Sequence, residues 1–189
     1  MEKFIDYVLQ FGNLNKQQID LIKSKATEID LRKDEFYWEA GKTVRQIGFI
    51  TDGVLRVYYY DSKGEEYTRY FIDENRLILD GPNSEGNYTP SEYLQAVTDC
   101  KLTVFSKKDW KGISDTIIGW ENIVQKINNK QHTEKIERRS ILVSQDAATR
   151  YNEFIDKFPT LANRVPLSYI ASYLGITKSS LSRIRKKIR

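Results

Sequence analysis

The sequence predicts an α+β chain: a helical N-terminus, a central antiparallel β region, and a helical C-terminal part ending in a helix-turn-helix. Three observations carry this reading. From about residue 29 to 106, β-branched and aromatic residues recur with period two between turn sequences. From Lys107 onward the apolar residues recur at three- and four-residue steps instead. Residues 167–185, LSYIASYLGITKSSLSRIR, read as two short helices joined at a glycine.

Each element has its own warrant. Phe4, Tyr7, Val8 and Phe11, then Leu14, Ile19 and Ile22, put apolar residues on helical faces over 4–25. Gly12 interrupts this stretch, and Asn13 or Asn15 stands where a cap for the second helix belongs. Strands are expected at 47–51, 54–60, 65–72, 93–97 and 102–106. Asp52-Gly53 and Asp61-Ser62-Lys63-Gly64 join the first three, since Asp-Gly supplies the positive φ of a tight hairpin. Residues 80–90, loaded with Gly, Asn, Pro and Ser, form a long loop. Short strands with closely spaced turns imply an antiparallel sandwich or barrel. Beyond it, Ile113, Ile117, Trp120, Val124 and Ile127 share one face, and neither Pro nor Gly falls between Trp120 and Phe158. A single helix is expected over 113–143, roughly 45 Å long at 1.5 Å per residue. Its narrow apolar stripe is of the kind that joins two copies of a chain.

Composition excludes several classes. A chain of 189 residues, 40% hydrophobic with four prolines, suffices for one large domain or two small ones. No run of eighteen apolar residues exists, so no membrane helix is expected, and the first ten residues lack a signal-peptide pattern, so a cytoplasmic location is. Cys100 is the only cysteine and His132 the only histidine. An internal disulfide and the multi-cysteine or multi-histidine metal centres are thereby excluded, and no metal or cofactor is expected. Gly41-Lys42-Thr43 lacks the first glycine of a phosphate loop, Phe36 standing in its place. No nucleophile–base pair is legible, so an enzyme is not expected.

The charge is unevenly placed. Residues 145–189 carry nine basic and three acidic side chains, a net +6 in a chain of net +4, which leaves −2 for the first 144. Residues 178–189 hold six basic residues and no acid. A basic end on a mildly acidic body is the electrostatic footprint of nucleic-acid contact. The helix-turn-helix gives that charge a frame. Pro166 precedes the first helix, where a missing N–H costs nothing. Ala171 is small enough for the close crossing of two helices, Gly175 takes the positive φ that ends the first, and Thr177 caps the second through Ser180 N–H. Leu181 and Ile184 point inward. Lys178, Ser179, Ser182 and Arg183 lie toward one side of the second helix, whose N-terminal part enters the major groove in this motif, and are the candidate base contacts. Thr177, Ser180, Arg185, Lys186, Lys187 and Arg189 are the candidate phosphate contacts.

Taken together, the β region, the long helix and the segment VPLSYIASYLGITKSSLSRIRKKI resemble the Crp/Fnr family of bacterial transcription regulators over almost the whole chain. The resemblance implies an antiparallel β-roll of cyclic-nucleotide-binding type, residues 1–112, a dimerisation helix over 113–143, and a DNA-binding helix-turn-helix domain over 144–189. It implies a homodimer on palindromic double-stranded DNA, with RNA polymerase as a further partner if the protein activates. The family's base-reading positions fall on Lys178, Ser179 and Arg183, and Ser179 replaces the acid that reads cytosine. Its cyclic-phosphate arginine would fall near Pro90 or Ser91 and its ribose-binding acid near Asp80; with Tyr93 these mark the effector-pocket candidates, Asp80, Ser91 and Tyr93. No arginine occurs from 77 to 97, so cAMP binding is not expected, and Arg69 or Arg76 would have to stand in. Four-cysteine oxygen sensing is excluded as well. A constitutive regulator with a decayed sensor is the alternative reading; a β-roll small-molecule binder or enzyme is a remoter one.

Overall fold

The computed structural model describes residues 1–79, 89–139 and 145–188. Two antiparallel four-stranded sheets face each other. The first is ordered β1 (Thr27–Leu31), β8 (Cys100–Ser106), β3 (Gln46–Asp52), β6 (Arg76–Ile78); the second is ordered β2 (Phe36–Trp38), β7 (Tyr93–Ala96), β4 (Leu55–Tyr60), β5 (Glu66–Ile72). The five expected strands all form. Strands β1, β2 and β6 went unread: β2 and β6 are three residues long, too short for a period to register, and Thr27–Leu31 carries only two apolar residues. The hairpin between β4 and β5 is held by Asp61, whose carboxylate accepts from the backbone N–H of Lys63 at 2.8 Å and of Glu65 at 2.9 Å. Ile50, Leu55, Val57, Leu94, Leu102 and Val104 fill the space between the sheets.

Helices close the outer face of the first sheet. Helix α1 (Glu2–Val8) and α2 (Lys16–Lys25) form the N-terminus, the second capped by Asn15 in a reciprocal box with Gln18. The expected single helix over 113–143 is instead two. Helix α3 (Lys107–Thr116) starts directly at the end of β8, where Ser106 Oγ accepts from Asp109 N–H at 3.0 Å. It stops at Ile117, and Gly119, at φ +87°, turns the chain into α4 (Trp120–Arg139). Residues 140–143 of the expected helix lie outside the described residues. The apolar stripe is used within the chain: Ile113, Ile117, Trp120 and Ile127 are buried against Phe4, Tyr7, Phe49 and Phe105, with Val124 packed at their margin. Apolar burial is non-directional, and the sheet face carrying Phe49 and Phe105, with Phe4 and Tyr7 of α1 laid against it, gives that stripe an apolar surface within the chain.

The chain ends in four helices, α5 (Ala147–Lys157), α6 (Leu161–Arg164), α7 (Leu167–Tyr173) and α8 (Lys178–Ile188). Their core of Tyr151, Phe154, Leu161, Ile170, Leu174 and Leu181 is continuous with Val54, Phe71 and Val97 of the second sheet. Roll and helical part thus share apolar packing.

Candidate nucleic-acid interface

Helix α7 ends in a Schellman motif. Ile176 N–H donates to Ala171 C=O at 3.0 Å and Gly175 N–H to Ser172 C=O at 3.1 Å, with Gly175 at φ +65°. The orphan carbonyl of Leu174 accepts from Arg150 Nη1 at 2.6 Å, so α5 braces the turn. Arg150 stands 25 residues before Gly175, and nothing local in the sequence links the two. Thr177 then caps α8: its Oγ1 accepts from Ser180 N–H at 3.1 Å and lies 2.9 Å from both Ser179 Oγ and Ser180 Oγ. Ala171 is buried at the crossing and Leu181 is fully buried beneath α8, as their spacing predicts, while Ile184 packs against the same core.

What remains outward on α8 is the predicted reading face. Lys178, Ser179 and Arg183 are exposed and Ser182 is half-buried; Lys186 follows on the same side, one turn beyond Ser182 and Arg183. Thr177 and Lys187 are exposed, and Ser180 and Arg185 are half-buried. Arg189 lies outside the described residues. Chemically the face offers a guanidinium, two ammonium groups and small hydroxyls at the open N-terminus of a helix, with no carboxylate among residues 178–188. Guanidinium and ammonium donors fit phosphate oxygens and the O6/N7 edge of guanine.

The effector candidates do not converge in the same way. Tyr93 stacks on Tyr58 at 5.0 Å and meets Tyr60 and Phe36 at 5.7 and 5.8 Å. Ser91 instead lines an open cleft of about 720 Å³ with Tyr59, Tyr67, Arg69, Glu92, Arg150 and the end of α7. Asp80 lies outside the described residues. Of the two arginines that the sequence offered as alternative phosphate partners, Arg69 is paired with Glu92, and Arg76 with Glu134 and Asp73. In the tyrosine run, a bulge between Val57 and Tyr58 breaks strict alternation; Tyr58 is buried while Tyr59 and Tyr60 stay exposed. Burial pushes the Tyr58 hydroxyl well above its ordinary value. Cys100 is a buried core residue, its thiol also raised by burial. Among the described residues no group of three or more His, Cys, Asp or Glu side chains is placed to hold a metal, and no helix is long and apolar enough to cross a membrane.

Nothing in the sequence marks the seam between α7 and the second sheet. Ser172 Oγ accepts from Thr68 N–H at 2.8 Å and donates to Glu66 C=O at 3.3 Å, occupying the open edge of β5. Arg164 donates both terminal nitrogens to Glu74, at 2.5 and 3.1 Å. Arg56 lies beneath Tyr169. Single side chains on separate elements carry these contacts, and neither motif nor spacing marks them.

No protein-family model matches this sequence, and no curated protein does. Solved structures do match. FixK2 from Bradyrhizobium japonicum superposes with a TM-score of 0.69 at 18% identity, over 86% of this chain and 84% of its own. CLP from Xanthomonas campestris, described as a c-di-GMP-responsive global regulator, gives 0.70 at 14% identity over 92% and 91%. A transcriptional regulator of the Crp/Fnr family from Eubacterium rectale gives 0.70 at 16% identity over 92% and 83%. At these identities the likeness is one of fold. This chain has the Crp/Fnr-type fold.

Proposed function

We propose that this chain is a DNA-binding transcription regulator that reads palindromic double-stranded DNA as a homodimer and does not respond through cAMP. The observation that carries the proposal is α8: an acid-free basic helix, solvent-facing on one side and locked on the other into a helix-turn-helix. Lys178, Ser179, Ser182 and Arg183 read bases; Thr177, Ser180, Arg185, Lys186, Lys187 and Arg189 meet phosphates. Residues 1–112 serve as sensor, 113–143 as dimerisation segment and 144–189 as reader, in a cytoplasmic protein that is not an enzyme. RNA polymerase is the further partner if it activates.

The face of α4 turned away from the roll supports the homodimer. Asn122, Gln125, Asn129, His132 and Ile136 alternate three- and four-residue steps, all exposed, with Ile118 just ahead of the helix in the same register. That is heptad spacing with polar residues at the seam, a pattern that fixes register at a cost in stability. The sensor lacks any arginine or lysine from 77 to 97, and Arg69 and Arg76 are already ion-paired, so a buried cyclic phosphate would go without its counter-charge. The same observation favours the second reading, a constitutive regulator whose roll has become a scaffold.

The test compares Arg183→Ala with Lys187→Ala on a selected operator with half-sites about 10 bp apart and on random DNA. Arg183→Ala should relax base preference; Lys187→Ala should weaken both DNAs alike and lower the salt slope by about one. Equal losses for both variants on both DNAs would refute the base-reading assignment. Titration with cAMP should give no heat; micromolar binding would refute the cAMP-independent reading.

A further inference from the structure

Arg56 is a charged side chain with 1% of its surface exposed, on the face of the second sheet turned toward α7. Its neighbours are spread over β4, β5, β7 and α7. Its guanidinium pairs with Glu66 of β5, donates to Gln95 Oε1 of β7 at 2.9 Å, and lies 4.1 Å from the ring of Tyr58 of β4. On the other side its Cζ stands 3.6 Å from the ring centre of Tyr169 of α7. Arg56 Nε is buried without a hydrogen-bond partner, so the arrangement is not the cheapest way to fill the space. A sheet needing only stability would place an apolar residue here.

The geometry sets what this clamp controls. Tyr169 lies one turn before Tyr173, and α7 and α8 are bound into one unit by the Schellman turn, the Arg150–Leu174 bond and the buried Leu181. Fixing Tyr169 therefore fixes the direction of α8. On the sensor side, Gln95 follows Tyr93 and Ser91 on the segment where an effector of this roll would act, and its amide also donates to Asp34 C=O at 3.0 Å. The docked arrangement leaves Lys178, Ser179 and Arg183 exposed, so it holds the reading face open.

We propose that Arg56 is a positioning residue for DNA reading: it joins β7, through Gln95, to α7, through Tyr169, so that a change in the sensor strand alters the aim of α8. This rests on the DNA-binding reading above. The shared two-state element is the α7 dock, biased from both ends.

The test is a double-mutant cycle in the full-length chain with two readouts. The first is operator affinity. Tyr169→Leu and Gln95→Ala should each weaken it about five-fold or more, and the double variant should lose no more than the worse single one. Tyr169→Phe, which keeps the ring, and Gln95→Glu, which keeps an acceptor for Arg56, should restore it. The second readout needs no DNA: exchange of the Thr68 amide, which donates to Ser172. It should be slow in the wild type and accelerate in Tyr169→Leu and in Gln95→Ala. Additive losses, or Thr68 exchange unmoved by Gln95→Ala, would overturn the coupling. Exchange that responds while operator affinity does not would reduce the clamp to packing. A wild type that binds no DNA would sink the functional reading, while exchange alone would still decide whether Gln95 reaches α7 through Arg56.

Discussion

The ring of Phe71, on strand β5, lies 5.6 Å from the ring of Tyr173, on the first helix of the helix-turn-helix. Phe154 of α5 meets both, at 6.3 and 5.7 Å. The three rings join the sheet and the helical part in one apolar cluster, and cooperative unfolding follows from that continuity. Phe71→Ala should cost about 3–5 kcal/mol, the range for deleting a buried phenyl ring. Thermal unfolding followed by tryptophan fluorescence, which reports only the roll and α3–α4, should coincide with that followed by helical circular dichroism. Two separated transitions in the wild type would contradict a shared core.

Glu74 links the same two parts through charge. Burial would raise its carboxyl, but the hydrogen bonds from Arg164 and from the Gly53 N–H outweigh that and hold it below its ordinary 4.5. A carboxyl depressed in the folded state stabilises fully above its unfolded value and loses that contribution as pH falls through its folded value. Stability should therefore drop on the acid side below about pH 4.5, where Glu74 begins to titrate when unfolded. Glu74→Gln should flatten this limb while lowering stability at neutral pH. Denaturant midpoints measured across the acid range check it; an unchanged acid slope would show that Glu74 is not the group involved.

The turn of the helix-turn-helix is sensitive to backbone conformation. Gly175 sits at φ +65°, and a Cβ there would find only Arg150 Nη1, at an ordinary 3.6 Å. The cost of Gly175→Ala is thus conformational, about 1–2 kcal/mol for a side chain in the left-handed region. Thr177→Ala should cost about 1 kcal/mol by removing the cap, and Thr177→Ser much less. Both losses should appear in denaturant titrations.

Self-association should depend on the outer face of α4. Ile136 is 53% exposed, and changing it to lysine should leave the fold intact. Sedimentation equilibrium should show the dimer of Ile136→Lys weakened about tenfold or more, since like charges would face each other across the seam. A wild type that stays monomeric at tens of micromolar would end the dimer proposal.

The strands with four or more residues and a clear period were legible, as were a cap for the second helix at Asn13 or Asn15, which the structure places at Asn15, and the Gly175–Thr177 turn. Each is written in contiguous residues whose physical demands are local. The three-residue strands were not, because pairing across the sheets rather than their own pattern creates them. The stripe over 113–127 was read correctly as apolar and wrongly as one straight helix facing a second copy. Gly119 lies within that stretch, and periodicity alone does not say which surface a stripe covers.

The sequence by itself determined the order of parts, the helix-turn-helix with its basic, acid-free second helix, and the absence of any arginine from 77 to 97. All follow from residue type and short-range spacing, the scale on which φ/ψ preference, capping and charge density act. Only the tertiary structure decided that Ser172 covers the edge of β5, that Glu74 holds Arg164, and that Arg56 lies buried between Tyr58 and Tyr169. Those partners stand between 2 and 113 residues apart, and the distant ones meet only when the chain folds back to bury Phe71 and its neighbours. The hydrophobic closure brings the polar groups together, and their geometry then fixes how the helical part sits on the roll.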